Sequence, residues 1–119
     1  MKFTNPYWSV QTRMDLLARW LIVHSIIYYE LGTSIIEDGA WDSNARQYVD
    51  LAWEHPDHAA RTRWNYVMHD FDASTGFHLY SRLNRNDKKM LKQQAMHLVD
   101  RYGTSDRRQK SKRKRGKLK

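Results

Sequence analysis

The 119-residue chain has room for one domain with one modest core. Five Trp, seven Tyr and three Phe supply that core with few, large side chains, and the absence of Cys excludes thiolate catalysis, Cys-zinc sites and disulfides. The net charge of +8 is concentrated at one end: residues 101–119 hold ten Lys and Arg against one acid, leaving the first hundred residues at −1.

Asn5-Pro6 or Ser9 can start the first helix. Val10, Met14, Leu17, Leu21, His24 and Tyr28 then follow at alternating spacings of four and three, which is one buried helical face. A second ridge of Leu16, Trp20, Val23 and Ile27 widens the stripe, so this helix is expected to be largely enclosed. His24, inside the stripe, is read as a core histidine hydrogen-bonded to a neighbour. Gly32 is a natural left-handed stop. Asp38 is placed to cap a second helix whose inner face is Trp41, Ala45, Tyr48 and Ala52 and which ends at His55-Pro56.

The following stretch, PDHAARTRWNYVMHDFD, carries mixed signals. Trp64, Val67, Met68 and Phe71 suit a short third helix, and DASTG reads as a turn in which Asp72 and Ser74 bond nearby amides and Gly76 takes a positive φ. Asn86 looks like the cap of a last helix with Leu91, Ala95, Leu98 and Tyr102 on one face and Gly103 at its end. No segment alternates with period two. The expected fold is therefore all-α, a small antiparallel array of three to four helices over residues 1–103, followed by a basic tail, 104–119, whose composition favours disorder.

Four chemistries can be weighed on residue types. The pair His55 and His58, and the group His69, Asp70 and Asp72, lack a recognised metal-ligand spacing, so no metal is assigned. Ser74-Thr75-Gly76 near His78 has no nucleophile elbow and no oriented base, so no catalytic residue is assigned. The tail is a dense array of point charges, with Arg107, Arg108, Lys110, Lys112, Arg113, Lys114, Arg115, Lys117 and Lys119 as candidate contacts to DNA or RNA, sequence-independent and weakened by salt. The longest apolar run, 20–23, is far too short for a membrane span, and the N-terminal residues lack the apolar stretch of a signal peptide, which fits a cytoplasmic protein.

The fourth is the stretch YYELGTSIIEDGAWD, residues 28–42. Tyr28-Tyr29, Asp38 and Trp41-Asp42, followed by Leu51 and His55-Pro56, resemble the helical Ia domain of bacterial NAD-dependent DNA ligases, with the matching hairpin at about 15–56. That domain grips the nicotinamide mononucleotide half of NAD, so the resemblance implies Tyr28, Tyr29, Asp38, Trp41 and Asp42 as ligand contacts. Trp41 stands where those ligases usually carry Tyr, and Leu31-Gly32-Thr33 replaces their acid-and-proline turn. Their Lys-x-Asp-Gly nucleophile motif is absent from the sequence, so adenylation and strand sealing are not expected. The run Ile22 to Tyr29 and the turn Asp70 to Phe77 also resemble short ligase-related proteins of bacteriophages, over about residues 15–80.

Two functions follow as expectations. One is a non-catalytic, phage-type interaction protein in a bacterial host, docking on a host or phage protein or nucleoprotein while the tail attracts nucleic acid; it needs no cofactor. The other is a module that binds NAD or nicotinamide mononucleotide. The residues favour a scaffold over a site, because Asp38 and Gly32 already have structural jobs as cap and stop, and aromatic residues at helical spacing are core first. Asp42, one turn inside the helix, is the better ligand candidate.

Overall fold

The computed structural model describes Asn5 and residues 7–103, and the nine candidate basic residues of the tail lie outside them. Six helices occur among the described residues, with no strand: α1 (Val10–Tyr29), α2 (Ala40–Glu54), α3 (Pro56–Arg61), α4 (Asn65–Met68), α5 (Leu79–Arg82) and α6 (Arg85–Tyr102). The all-α class holds and the number of helices exceeds the expected three to four. The three extra or altered pieces are short turns of helix in the 56–82 stretch, where Pro56 supplies the first position of α3.

α1 is the hub. Ser9 caps it, its Oγ accepting from the Thr12 amide at 3.1 Å. All seven residues from Leu21 to Ile27 are buried, because α2, α3, α5 and α6 pack around it. Met14, Leu17, Leu21, Ile22, Ile26 and Ile27 lose essentially all contact with solvent. Burial of each such side chain stabilises the fold by about 1.5–3 kcal/mol relative to exposure. The stripe does not run to the end of the helix: Tyr28 is 61% exposed. Polar ties fix the neighbours, with Arg19 Nη2 donating to Gln94 Oε1 of α6 at 2.8 Å and the Arg63 amide donating to Asp15 Oδ1 at 3.1 Å.

α6 starts one residue pair earlier than the sequence suggests. Asn84, not Asn86, is the cap, its Oδ1 accepting from the Asp87 amide at 2.8 Å. The reason lies in Asp87, which must sit in the first turn to reach Arg63 (Nη2–Oδ1 2.7 Å) and Tyr66 (Oη–Oδ2 2.5 Å). Tyr66 Oη in turn accepts from the Asn84 amide at 3.2 Å, so cap and ion pair form one network that joins α4 to α6. The bidentate guanidinium and the phenol hold the Asp87 carboxyl below its ordinary range.

Candidate functional site

Three chain segments meet at the C-terminal end of α1. Gly32, at φ +70°, turns the chain back so that the Thr33 amide reaches the Ile27 carbonyl at 3.2 Å, which is the left-handed stop expected of it. The chain then runs across the end of α1 to a turn in which the Ala40 amide donates to the Glu37 carbonyl at 3.1 Å. Gly39 occupies the third position of that turn with φ 84° and ψ −14°, a conformation that excludes most side chains. Gly39 is consequently the N-cap of α2. Asp38 falls one residue outside and makes no capping bond, which corrects the reading of Asp38 as the cap.

The third segment is the turn 70–77. Asp72 Oδ1 accepts from the Ser74 amide at 2.9 Å and from Ser74 Oγ at 2.6 Å, and these bonds depress the Asp72 carboxyl below its usual range. The Ser74 hydroxyl thereby donates to a carboxylate rather than to a histidine. Arg82 clamps Asp70, with Nη2–Oδ2 at 3.1 Å. The left-handed residue of this turn is Ala73, at φ 71°, and Gly76 is not left-handed. Gly76 has a different role: a Cβ built there would lie 2.0 Å from Ser25 Oγ and 2.9 Å from Trp41 Cζ2, so only a hydrogen lets the turn press against α1 and α2.

Between these segments lies a cavity of about 260 Å³, lined by His24, Ser25, Tyr28 and Tyr29 of α1, by Ser34 and 36–39, by Trp41 and Asp42 of α2, and by Ser74–Gly76. All five residues singled out in 28–42, Tyr28, Tyr29, Asp38, Trp41 and Asp42, therefore line one space, and Trp41 packs against the core as well. Trp41 is fixed from behind, its Nε1 donating to the Leu21 carbonyl at 3.2 Å and its ring meeting Phe71 edge-on at 5.9 Å. Tyr29 Oη pairs with Thr75 Oγ1 at 3.1 Å, closing the lip between α1 and the turn, and its ring meets Phe77 at 5.3 Å. Tyr28 packs edge-on against Tyr29 at 4.9 Å.

His24 and Ser25 form the floor and were not candidates, because their positions in the apolar stripe of α1 read as core. Ser25 bonds back to the Leu21 carbonyl at 2.8 Å. His24 is only 9% exposed, tilts against Trp20 at 4.4 Å and has no hydrogen-bond partner among the described residues, contrary to the bonded core histidine expected. Burial pushes its pKa from 6.5 down to about 4, so the ring is neutral at pH 7. The Asp38 and Asp42 carboxylates likewise have no hydrogen-bond or ion-pair partner among the described residues.

The other histidines do not assemble. His55 and His58 touch edge to face at 5.5 Å, and among the described residues no group of three or more His, Asp or Glu is arranged to hold a metal ion. No helix among them is long and apolar enough to cross a membrane. The cleft offers aromatic rings, acidic oxygens and hydroxyls. No protein-family model, curated protein or solved structure matches the chain.

Proposed function

We propose that this chain is a non-catalytic binding module whose cleft takes the nicotinamide–ribose half of NAD or nicotinamide mononucleotide. One observation carries the reading: Tyr28, Tyr29, Asp38, Trp41 and Asp42, whose spacing resembles that of a ligase Ia domain, line a single cavity. Ligand sites of this kind are concave and largely apolar with a few convergent polar groups. Here two tyrosine rings and Trp41 offer ring contacts, while Thr75, Ser34 and the carboxylates are placed for ribose hydroxyls. A cavity of about 260 Å³ suits a ring and a sugar and is too small for a whole dinucleotide.

Thermal unfolding with added nicotinamide mononucleotide or NAD tests it. At ligand concentrations ten times Kd the native state gains about 1.4 kcal/mol, a rise in Tm of several degrees for a domain of this size. Tyr29→Phe, which breaks the Thr75 bond, is expected to weaken that response severalfold. No shift in Tm and no change in tyrosine and tryptophan fluorescence at millimolar ligand would refute the reading.

The charge split favours a second, compatible role, that of the phage-type interaction protein: a near-neutral body held to a nucleoprotein target by the ten bases of 101–119. Each phosphate neutralised contributes about −0.9 to the slope of log K against log salt on duplex DNA. Truncation after Gly103 is expected to remove most nonspecific DNA affinity and nearly all of that slope in a fluorescence-anisotropy titration. An unchanged slope assigns the attraction to the folded body instead.

A further inference from the structure

Charge on the folded body is near balance in sum but uneven in place. Arg85, Lys88, Lys89 and Lys92 follow at i, i+3, i+4 and i+7, so they share one side of α6 within about its first two turns. Lys88, Lys89 and Lys92 are also all the lysines of the described residues. The acid within 85–99 is Asp87, which is buried and bonded to Arg63 and Tyr66. Outside the described residues the sequence holds a single acid, Asp106.

Folding alone does not account for this arrangement. Like charges three and four residues apart on a helix repel, and cations near a helix N-terminus oppose its dipole, so both effects act against α6. Two of the lysines are nevertheless held in place by Tyr80, which precedes them in α5. Lys88 Nζ lies 5.5 Å and Lys92 Nζ 5.9 Å from the centre of its ring, and both lysines are half-buried. A neutral ring steadies an ammonium without cancelling its charge. Arg85 and Lys89 stand exposed beside them, and none of the four forms an ion pair among the described residues.

Resting on the second role above, attraction to nucleic acid, we infer that this side of α6 is a docking face for the phosphate backbone of duplex DNA, orienting the body once the tail has engaged the duplex. Helix rise places Arg85 and Lys92 about 10 Å apart along α6. Duplex DNA carries one phosphate per about 3.4 Å of each strand, so that length spans about three phosphates. A single strand is the poorer occupant, because it gains affinity by stacking bases on aromatic rings, and the Tyr80 ring is half-buried with two ammonium groups against it. Phosphate contacts of this kind fix orientation on the duplex without reading its sequence. The same helix leads in sequence into the ten bases of 101–119, so face and tail are linked sites, and the face binds intramolecularly after the tail. Four contacts alone are weak, which is why loss of the tail removes most of the affinity.

Fluorescence-anisotropy titration of the full chain with a short DNA duplex over a range of salt concentrations tests the face. The triple variant Lys88→Gln, Lys89→Gln, Lys92→Gln is expected to lower the slope of log K against log salt by about 2–3 and to weaken binding at least about tenfold at roughly 0.1 M salt. Lys88→Arg, Lys89→Arg, Lys92→Arg keeps the charge and should keep the parent slope. Arg85→Gln with Lys89→Gln removes two exposed charges without disturbing the packing on Tyr80; it is expected to keep the circular dichroism of the parent and to lower the slope by about 1.8. Arg46→Gln with Arg61→Gln, on α2 and α3, is the charge-matched control and should change the slope by less than about 0.5. A parent slope in both glutamine variants of α6, or an equal loss in the control, overturns the face and leaves the tail reading standing. Tighter binding of the parent to a single strand than to the duplex overturns the duplex as occupant. No DNA binding by the parent overturns both face and tail.

Discussion

Gly76→Ala is expected to lower stability by roughly 2–3 kcal/mol, or about 10–20 °C in Tm. Because Gly76 does not occupy the left-handed region, the backbone accepts alanine without strain; the whole cost comes from contact. The added methyl would meet Ser25 Oγ at 2.0 Å, Trp41 Cζ2 at 2.9 Å and Ser25 Cβ at 3.0 Å. None of these can retreat easily, since Ser25 is inside the buried run of α1 and Trp41 is tied to the Leu21 carbonyl. Adding Ser25→Ala removes the nearest atom and should recover part of the loss, so the two changes are non-additive in a double-mutant cycle. Gly39→Ala supplies the contrast. Nothing lies within 4 Å of its Cβ, yet its φ of +84° makes alanine cost about 1–2 kcal/mol by backbone strain alone. Chemical denaturation of the four variants separates the two mechanisms, and additive effects at positions 25 and 76 would show that the turn moves away from α1 to make room.

Acidification from pH 6.5 to about 4 is expected to destabilise the protein by up to about 3 kcal/mol through His24. The sign follows from proton uptake. In the unfolded chain the imidazole protonates near 6.5, whereas burial holds it neutral in the fold until about pH 4. Across that interval the unfolded state binds the proton that the folded state refuses, so stability falls as pH falls and levels off below 4. The carboxylates whose pKa is depressed, Asp70, Asp72 and Asp87, act below this interval, where protonation removes their bonds to Arg82, Ser74 and Arg63. His24→Met keeps an apolar side chain of similar length against Trp20 and is expected to flatten the profile between pH 6.5 and 4. An unchanged profile in urea titrations of the variant would place the sensitivity elsewhere.

The long helices were legible in sequence because each carries enough turns to show its period. Met14, Leu17 and Leu21 mark α1, Ala45 and Tyr48 mark α2, and Leu91 and Ala95 mark α6; all seven are buried. α4 and α5 are four residues each, a single turn, and no periodicity exists over one turn. Cap identity failed for a local reason in each case. Asp38 is a better capping residue than Gly39 in isolation, but the turn needs a positive φ at the second of the pair, and only glycine supplies it cheaply. Asn84 and Asn86 are equivalent by residue type, and the choice depends on Asp87 reaching Arg63 across 24 residues.

The candidate site divides in the same way. Tyr28, Tyr29, Trp41 and Asp42 were visible through their spacing, yet the residues alone favoured a scaffold. Two things hid the shared cavity: Tyr28 belongs to the buried stripe by period but lies past the last packed turn of α1, and Asp38 is released from capping by its neighbour. His24 and Ser25 were concealed by their apolar surroundings, because a helix buried on every side leaves no polar face to mark an opening. Thr75 and Gly76 were read as turn residues, which they are; their closeness to α1 depends on a chain reversal that sequence spacing does not encode.

The Tyr29–Thr75 bond joins positions 46 residues apart, and Gly76 meets Ser25 across a similar span. The hairpin of about 15–56 that carries the recognisable residues consequently supplies only part of the cavity's lining. Closing so long a loop is entropically unfavourable until the intervening helices have docked, so the cavity comes into being late, as a property of the completed chain rather than of any fragment. The cavity is thus a measure of how much of the chain has finished folding, and a peptide bearing the hairpin alone would keep its aromatic residues without the Ser74–Gly76 wall that faces them.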